Sequence, residues 1–539
     1  MRVLPLLLTL AALILGLNYF LDFYPWEALA ALLWAVFYLA ALMLSGFTLL
    51  NWRRRNADRG PADWIAAGLM AVAAFVYVLS WLKLVHPTTL VLFLLLPLAG
   101  LWRLVRSPEL RLEMLGSLAV FSRRHPLEYL PFLLPLAYSL LPIVFYDSLV
   151  YGVGTANFIL RNGGFVPAPH FMFYNLSLYN ELTLVPSLIL GDLVPHTFHF
   201  LLGLLFYLAV ADVAADHFKL RSRWLLVLIL TTLPLHLFLL TTVKPDLMAG
   251  FFIFLAMRAY TKQSFAWSGL LFGFSIGIKL TSTLAPLIFV PLLMSRERSF
   301  GWKKHMLMAL LVLLMVSPLI IKNWVFTGNP VFPLMADRLP TPGWDSERYA
   351  MVRQEMGASI RSWSDLLRAP YDFSFKLQGS GGFVGPLFLI FLPFFLILRK
   401  QEDDFTWLGF AILLLVVGGM QGAAFRFLNV VFVILALYTA LVVERLPRLL
   451  PKLVFSLVVF VNLLYGLAML ESVYGLRALF FQHQTYEAYL AQRYPALNLV
   501  RWLNAQAPHD ARVLVAGDAR GYYLKRPYSI GTAHNYSVL

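Results

Sequence analysis

Cysteine is absent from the sequence, so thiol catalysis, disulfides and thiolate metal sites are excluded. Charge is scarce as well: only 13% of the 539 residues are Asp, Glu, Lys or Arg, against 60% hydrophobic residues, and the mean hydropathy is +0.73. So little polar surface cannot cover a water-soluble core, and the chain is solvated mainly by lipid. A formal net charge of +15 would suggest nucleic acid in a soluble protein. Here the basic residues fall between apolar runs, as an orientation signal does, which argues against nucleic acid and for membrane lipids as partners. The sequence has no His-x-x-x-His and, in the first outer loop, no paired carboxylate and no Asp-x-Asp. That pattern does not favour a tightly held divalent ion, and no cofactor is expected.

What is there is a series of apolar stretches long enough to cross ~30 Å of hydrocarbon, roughly 17 to 25 residues each. Marked off between polar breaks they number about fifteen, which predicts an all-α polytopic membrane protein. The first, Val3–Phe20, lacks a small-residue cleavage site and ends in Tyr19, Phe20 and Leu21, so it reads as a retained span rather than a signal peptide. It is followed by Ala28–Leu50, Ala62–Leu82 and Thr88–Val105, which complete an N-terminal module, 1–125, and then by Tyr129–Phe145. That last run opens a core, 126–470, ahead of a C-terminal segment, 471–539. The stretch Phe265–Met294 would be ~45 Å long as one helix, too long for one crossing and short for two. Arg258 and Lys262 precede it and Arg296, Arg298, Lys303 and Lys304 follow, so both ends face the cytoplasm and the chain turns back near Lys279. With that turn every strongly basic loop lies on one side of a bacterial inner membrane, the N-terminus is cytoplasmic and the C-terminus is outside.

The outer face then receives two long segments, 147–195 and 323–382, and the tail. In the first, a short helix, Ser148–Arg161, precedes a Gly- and Pro-rich loop and an amphipathic helix, Ser177–Leu190, of a kind suited to lying among lipid headgroups. The tail carries a buried-strand pattern, Val513-Leu514-Val515-Ala516, then Gly517-Asp518 and Gly521-Tyr522-Tyr523. This predicts a small extracytoplasmic α/β segment, and its glycines form no dinucleotide fingerprint.

Candidate chemistry collects at span ends on the outer face. Asp147 follows directly on a span; it is either the N-cap of the next helix or a carboxylate used as a general base, and the two roles are compatible. Asp246, in Lys244-Pro245-Asp246, opens a span where an acidic residue also suits a helix N-terminus. Lys279 either presents an ammonium to a phosphate or simply snorkels. Lys322 and Arg426 cap further spans, and with Lys279 they put three cations on one face, enough to hold an anionic lipid. His170 and the run Phe173-Tyr174-Asn175 lie in the outer loop, where they either hydrogen-bond a sugar or pack the loop.

These residues resemble, in their order, the GT-C superfamily of integral-membrane glycosyltransferases, in particular bacterial members related to the protein O-mannosyltransferases and the lipid A aminoarabinose transferase. Tyr146-Asp147-Ser148-Leu149-Val150-Tyr151, followed by Leu160-Arg161-Asn162-Gly163-Gly164, is similar to that family's first outer-loop acidic motif. Asp246-Leu247 is similar to its second acidic position, and Gly273 to Leu280 to a glycine-rich helix ending in lysine. The most specific stretch is Lys322-Asn323-Trp324-Val325-Phe326-Thr327-Gly328-Asn329-Pro330-Val331-Phe332-Pro333; Gly385-Pro386-Leu387 and Arg426-Phe427-Leu428 follow in order. The resemblance runs from Tyr129 to Leu539 and leaves residues 1–125 outside. Many relatives have His where this chain has Gly152, and arginine where it has Lys322.

The resemblance implies a GT-C-like core and inverting transfer of a sugar from a polyprenyl-phosphate donor to an acceptor outside the cytoplasm: a glycolipid, lipopolysaccharide, wall polymer or protein. It implies Asp147 as the base and Lys279, Arg426 and Lys322 as cations for the departing phosphate; with the residues read above, the expected substrate-binding set is Asp246, Lys279, Lys322, Arg426, Tyr151, His170 and Asn175. The rivals are a transporter or flippase of polyprenyl-linked glycans, an oligosaccharide ligase or polymerase with a diphosphate donor, and a structural membrane subunit. Transporters place ionisable residues near the midplane at breaks in paired repeats, whereas here they gather at span ends.

Overall fold

A computed structural model describes residues 25–531, apart from 52–58, 123, 169–170, 177, 289–300, 340, 343, 345, 348–349, 351–359, 361, 377–382, 399–403, 421–424, 447–448 and 476–485. Val3–Phe20 and His170 therefore lie outside the described residues. In lipid every backbone donor must be satisfied within its own segment, so the apolar runs become helices. Among the described residues seven helices are long and apolar enough to cross a membrane: Glu27–Leu50, Pro61–Trp81, Pro87–Arg106, Val194–Asp216, Trp302–Thr327, Arg426–Arg445 and Leu449–Tyr474. The pair Arg223–Thr232 and Pro234–Thr241, bent by 79°, makes up to an eighth. Leu233 between them is extended, as the residue before a proline prefers. Phe265–Ile278, Leu387–Leu398 and Thr406–Met420 are shorter apolar helices.

Run counting, which gives about fifteen spans, does not see backbone breaks. Tyr129–Phe145 shows this: its regular part is the seven-residue helix Leu133–Ser139, after short 3-10 turns at Pro126–Glu128 and Leu130–Phe132. Pro131, Pro135 and Pro142 each remove a backbone donor there.

Around Lys279 the chain does reverse. Pro245–Thr261 and Phe265–Ile278 form an antiparallel hairpin, closed where Ser268 Oγ donates to the Ala256 carbonyl at 2.9 Å. Phe265–Ile278 then runs parallel to Trp302–Thr327: a Cβ on Gly269 would meet Met308, and one on Gly273 would meet Val312 and Met315. Two parallel helices require the intervening chain to return. Of the chain between them, Lys279 is extended and Leu280–Ile288 is a 3-10 stretch.

The N-terminal helices share one apolar core with the rest of the chain. Tyr38 Oη donates to the Thr183 carbonyl at 2.6 Å and Tyr77 Oη to that of Pro318 at 3.2 Å. At one end, Val85 N–H bonds Gly163 O and Phe165 N–H bonds Ser80 O, both at 3.0 Å. At the other, Asp63 accepts from Arg258 at 2.5 Å and from Trp267 Nε1 at 2.9 Å.

The helix expected among the headgroups, Tyr179–Leu190, lies inside the protein instead, with Asn180, Glu181, Thr183 and Ser187 all buried. Its two hydroxyls find partners locally: Thr183 Oγ1 donates to Asn180 O at 2.7 Å and Ser187 Oγ to Leu184 O at 2.6 Å. Tyr179 stacks on Phe274 with ring centroids 4.5 Å apart, in the space left by Gly277.

In the tail, helices Tyr486–Arg493 and Leu497–Gln506 precede a parallel strand pair, Val513–Ala516 with Tyr528–Gly531. This unit clamps the segment around Asp147. Asn157 Nδ2 faces the carbonyls of Gly521, Tyr522 and Leu524 at 3.4, 2.9 and 3.2 Å. Tyr523 Oη donates to Ile143 O and Tyr528 Oη to Gly154 O, each at 2.9 Å.

Candidate functional site

Asp147 opens a π-helical turn, Ser148–Gly152, and its side chain makes no capping hydrogen bond. A π-turn spends an extra residue per bond, and here it carries Tyr151 back towards the carboxylate. Asp147 Oδ2 accepts from Tyr151 Oη at 2.9 Å, Lys244 Nζ at 2.8 Å and Arg426 Nη1 at 3.2 Å. A second pair lies close by: Lys279 Nζ donates to Asp246 Oδ1 at 2.5 Å and sits 3.5 Å from the Phe427 ring centroid. Asn429 Nδ2 ties the Asp246 backbone carbonyl at 2.6 Å. Among the described residues, Asp246 Oδ2 is buried with no hydrogen-bond partner.

Three cations, Lys244, Lys279 and Arg426, thus face two carboxylates, Asp147 and Asp246, leaving one positive charge in a largely buried site. Such an excess favours an incoming anion. Burial by itself would raise the Asp147 pKa, but Lys244 and Arg426 outweigh it and hold the carboxyl below its usual range. Burial lowers Lys244 to about 8, against the opposing pull of Asp147. Lys244 is also wedged against Phe145 and Phe238, at 4.4 and 5.0 Å from their ring centroids.

Gly152 has a physical reason here. A Cβ at that position would come within 2.5 Å of the Val243 carbonyl, so only glycine lets the π-turn meet the strand-like segment that delivers Lys244.

Of the residues singled out from the sequence, Asp147, Tyr151, Asp246, Lys279 and Arg426 come together. Lys322 and Asn175 do not join them. Lys322 is fully buried; its ammonium donates to Tyr174 O at 2.8 Å and Asn175 Oδ1 at 2.9 Å, under the Tyr174 ring at 3.8 Å. Asn175 Nδ2 in turn holds Ala168 O and Phe171 O at 2.9 and 3.1 Å. Together they pin the loop that contains Tyr174 to the end of the helix Trp302–Thr327. The rest of that specific stretch ends the helix: Gly328 adopts φ 72°, Thr327 Oγ1 bonds Asn323 O at 2.7 Å, and Asn329 Oδ1 accepts from Val331 N–H at 3.0 Å. Lys244 is the member sequence reasoning passed over. The signal was there, since a lysine just before a helix N-terminus opposes the helix dipole and needs a nearby anion. Among the described residues no group of three or more His, Asp or Glu side chains is placed to hold a metal ion.

Helices of this number, with an ionic cluster at the ends of several of them, make this a polytopic membrane protein. Its likeness to the crystal structure of ArnT from Cupriavidus metallidurans bound to undecaprenyl phosphate covers 78% of this chain and 87% of that chain, with a TM-score of 0.51 and 14% identity. At that identity the likeness shows the fold alone. The chain belongs to the family described as "Domain of unknown function (DUF8201)", whose model matches residues 29–433; the match takes in the N-terminal helices together with most of the core. No curated protein matches the chain.

Proposed function

We propose that this protein is an inverting glycosyltransferase that moves a sugar from a polyprenyl-phosphate donor to an acceptor on the outer side of the bacterial inner membrane. The observation that carries the reading is the buried cluster in which Asp147 is held by Lys244, Arg426 and Tyr151, beside the Asp246–Lys279 pair. The fold neighbour crystallised with undecaprenyl phosphate supports the lipid class of the donor.

The phosphate takes the surplus positive charge, drawing Arg426 and Lys279 towards its oxygens and loosening their hold on the carboxylates. An acceptor hydroxyl then attacks the anomeric carbon from the side opposite the phosphate. As the new C–O bond forms, the hydroxyl proton becomes acidic and passes to Asp147, whose basicity recovers once Arg426 is shared with the phosphate. The C–O bond to phosphate breaks with its electron pair, and polyprenyl phosphate leaves, stabilised by the cations. Asp246 Oδ2, which has no donor among the described residues, takes a hydrogen bond from a sugar hydroxyl.

The test is purified full-length protein in lipid nanodiscs, with envelope glycoconjugates and polyprenyl lipids followed by mass spectrometry in cells carrying the wild type or Asp147→Asn. Loss of one sugar from one glycoconjugate, with its polyprenyl-phosphate donor accumulating, supports the reading and names both substrates. A diphosphate by-product moves the protein to the ligase or polymerase class, and unchanged glycans with folded variant protein remove Asp147 from the chemistry.

A further inference from the structure

The second long segment, 323–382, contains a helix with one face that is exposed among the described residues. Trp363–Phe375 buries Ala369, Phe373 and Ser374, while Trp363, Leu367, Tyr371 and Phe375, spaced four residues apart and so on one face, are 83%, 82%, 54% and 47% exposed. The depth of the helix is fixed by its buried side. Phe373 lies against Phe432 with ring centroids 5.8 Å apart, and its carbonyl accepts from Val384 N–H at 3.0 Å, just ahead of the apolar helix Leu387–Leu398. Phe432 sits six residues inside the span Arg426–Arg445, about 9 Å below its end. An exposed stripe at that depth meets the boundary between headgroups and acyl chains, which is also where Trp and Tyr rings reside most favourably. Exposed apolar residues recur at the same end of the bundle: Trp324 and Val325 on the helix Trp302–Thr327 are 65% and 59% exposed.

We propose that Trp363–Phe375 is an interfacial helix whose Trp363, Leu367, Tyr371 and Phe375 insert into the lipid leaflet on the side of the ionic cluster. Ile360 N–H bonds the Gly419 carbonyl at 3.2 Å, so the start of the helix is tied to the chain that leads into Arg426. The helix thereby anchors the rim of the site in the leaflet. The proposal needs only the fold and the membrane, not the transferase reading.

The absence of cysteine makes the test direct. Single variants Trp363→Cys, Leu367→Cys, Tyr371→Cys and Phe375→Cys, with Ser364→Cys and Arg368→Cys as polar-side references, are spin-labelled in the full chain. They are reconstituted in vesicles of phosphatidylethanolamine and phosphatidylglycerol. The four stripe positions are expected to collide more with oxygen than with a water-soluble nickel chelate, and the two reference positions to show the inverse ratio. High chelate access at the four positions would overturn the proposal in favour of a water-facing surface for another protein. Spin–spin broadening at all four, lost on dilution with unlabelled protein, would overturn it in favour of contact with a second copy.

Discussion

Two helices of nearly equal length, Tyr179–Leu190 and Trp363–Phe375, occupy the two long segments on the side of the ionic cluster, and each carries an internal proline, Pro186 and Pro370. The first hides Asn180, Glu181, Thr183 and Ser187 inside the protein; the second turns Trp363, Leu367, Tyr371 and Phe375 outward. In a water-soluble protein an amphipathic helix shows its polar face and buries the other. Inside a lipid-solvated protein the rule inverts, because polar groups are cheapest where other protein groups can bond them and apolar groups cost nothing at the outer surface. The same contrast separates two buried lysines: Lys279 faces a carboxylate beside two further cations, whereas Lys322 is spent on a carbonyl and an amide.

The first segment should therefore be sensitive to single changes and the second tolerant. The largest effect is expected from Asp147→Asn, which should lower turnover by roughly 100- to 10,000-fold while leaving the melting temperature in detergent near wild type; full turnover in a folded variant would remove the base assignment. Lys322→Met should destabilise the fold by about 1–3 kcal/mol through orphaned acceptors at Tyr174 and Asn175, seen as a lower melting temperature with the donor KM unchanged. A raised donor KM at unchanged melting temperature would put Lys322 back at the phosphate.

Acidity offers a third comparison. Lys244 is depressed to about 8, so it is charged below that pH and loses its proton as pH rises through it, taking one cation from the cluster. Affinity for polyprenyl phosphate, measured by titration calorimetry in nanodiscs, should fall across that window. Lys244→Arg should flatten the step, because guanidinium stays charged. The smallest effect belongs to the second segment: Leu367→Ser should change stability in detergent by no more than about 0.5 kcal/mol, and a larger loss would mean the stripe packs against protein.

Much of this is legible in the sequence. Asp147, Asp246, Lys279 and Arg426 stood out because charge is rare in such a chain and these four sit at the ends of apolar runs. The reversal near Lys279 followed from basic residues at both ends of one run. The span count did not translate directly, since Pro131, Pro135 and Pro142 break a run that hydropathy reads as continuous. The stretch from Lys322 to Pro333, the most specific in sequence, forms a helix terminus and a loop anchor, because a pattern of residue types does not reveal which atoms they bond. Lys244 was missed for the converse reason: its partner, Asp147, is 97 residues away.

By itself the sequence determined the solvent, the predominance of helix and the rarity of its charges, since each depends on composition and on spacing along the chain. Which charges meet, and which face of a helix looks at lipid, only the tertiary structure decided. Both depend on what lies across a gap of a few ångströms, and neighbours in space are set by packing over the whole chain.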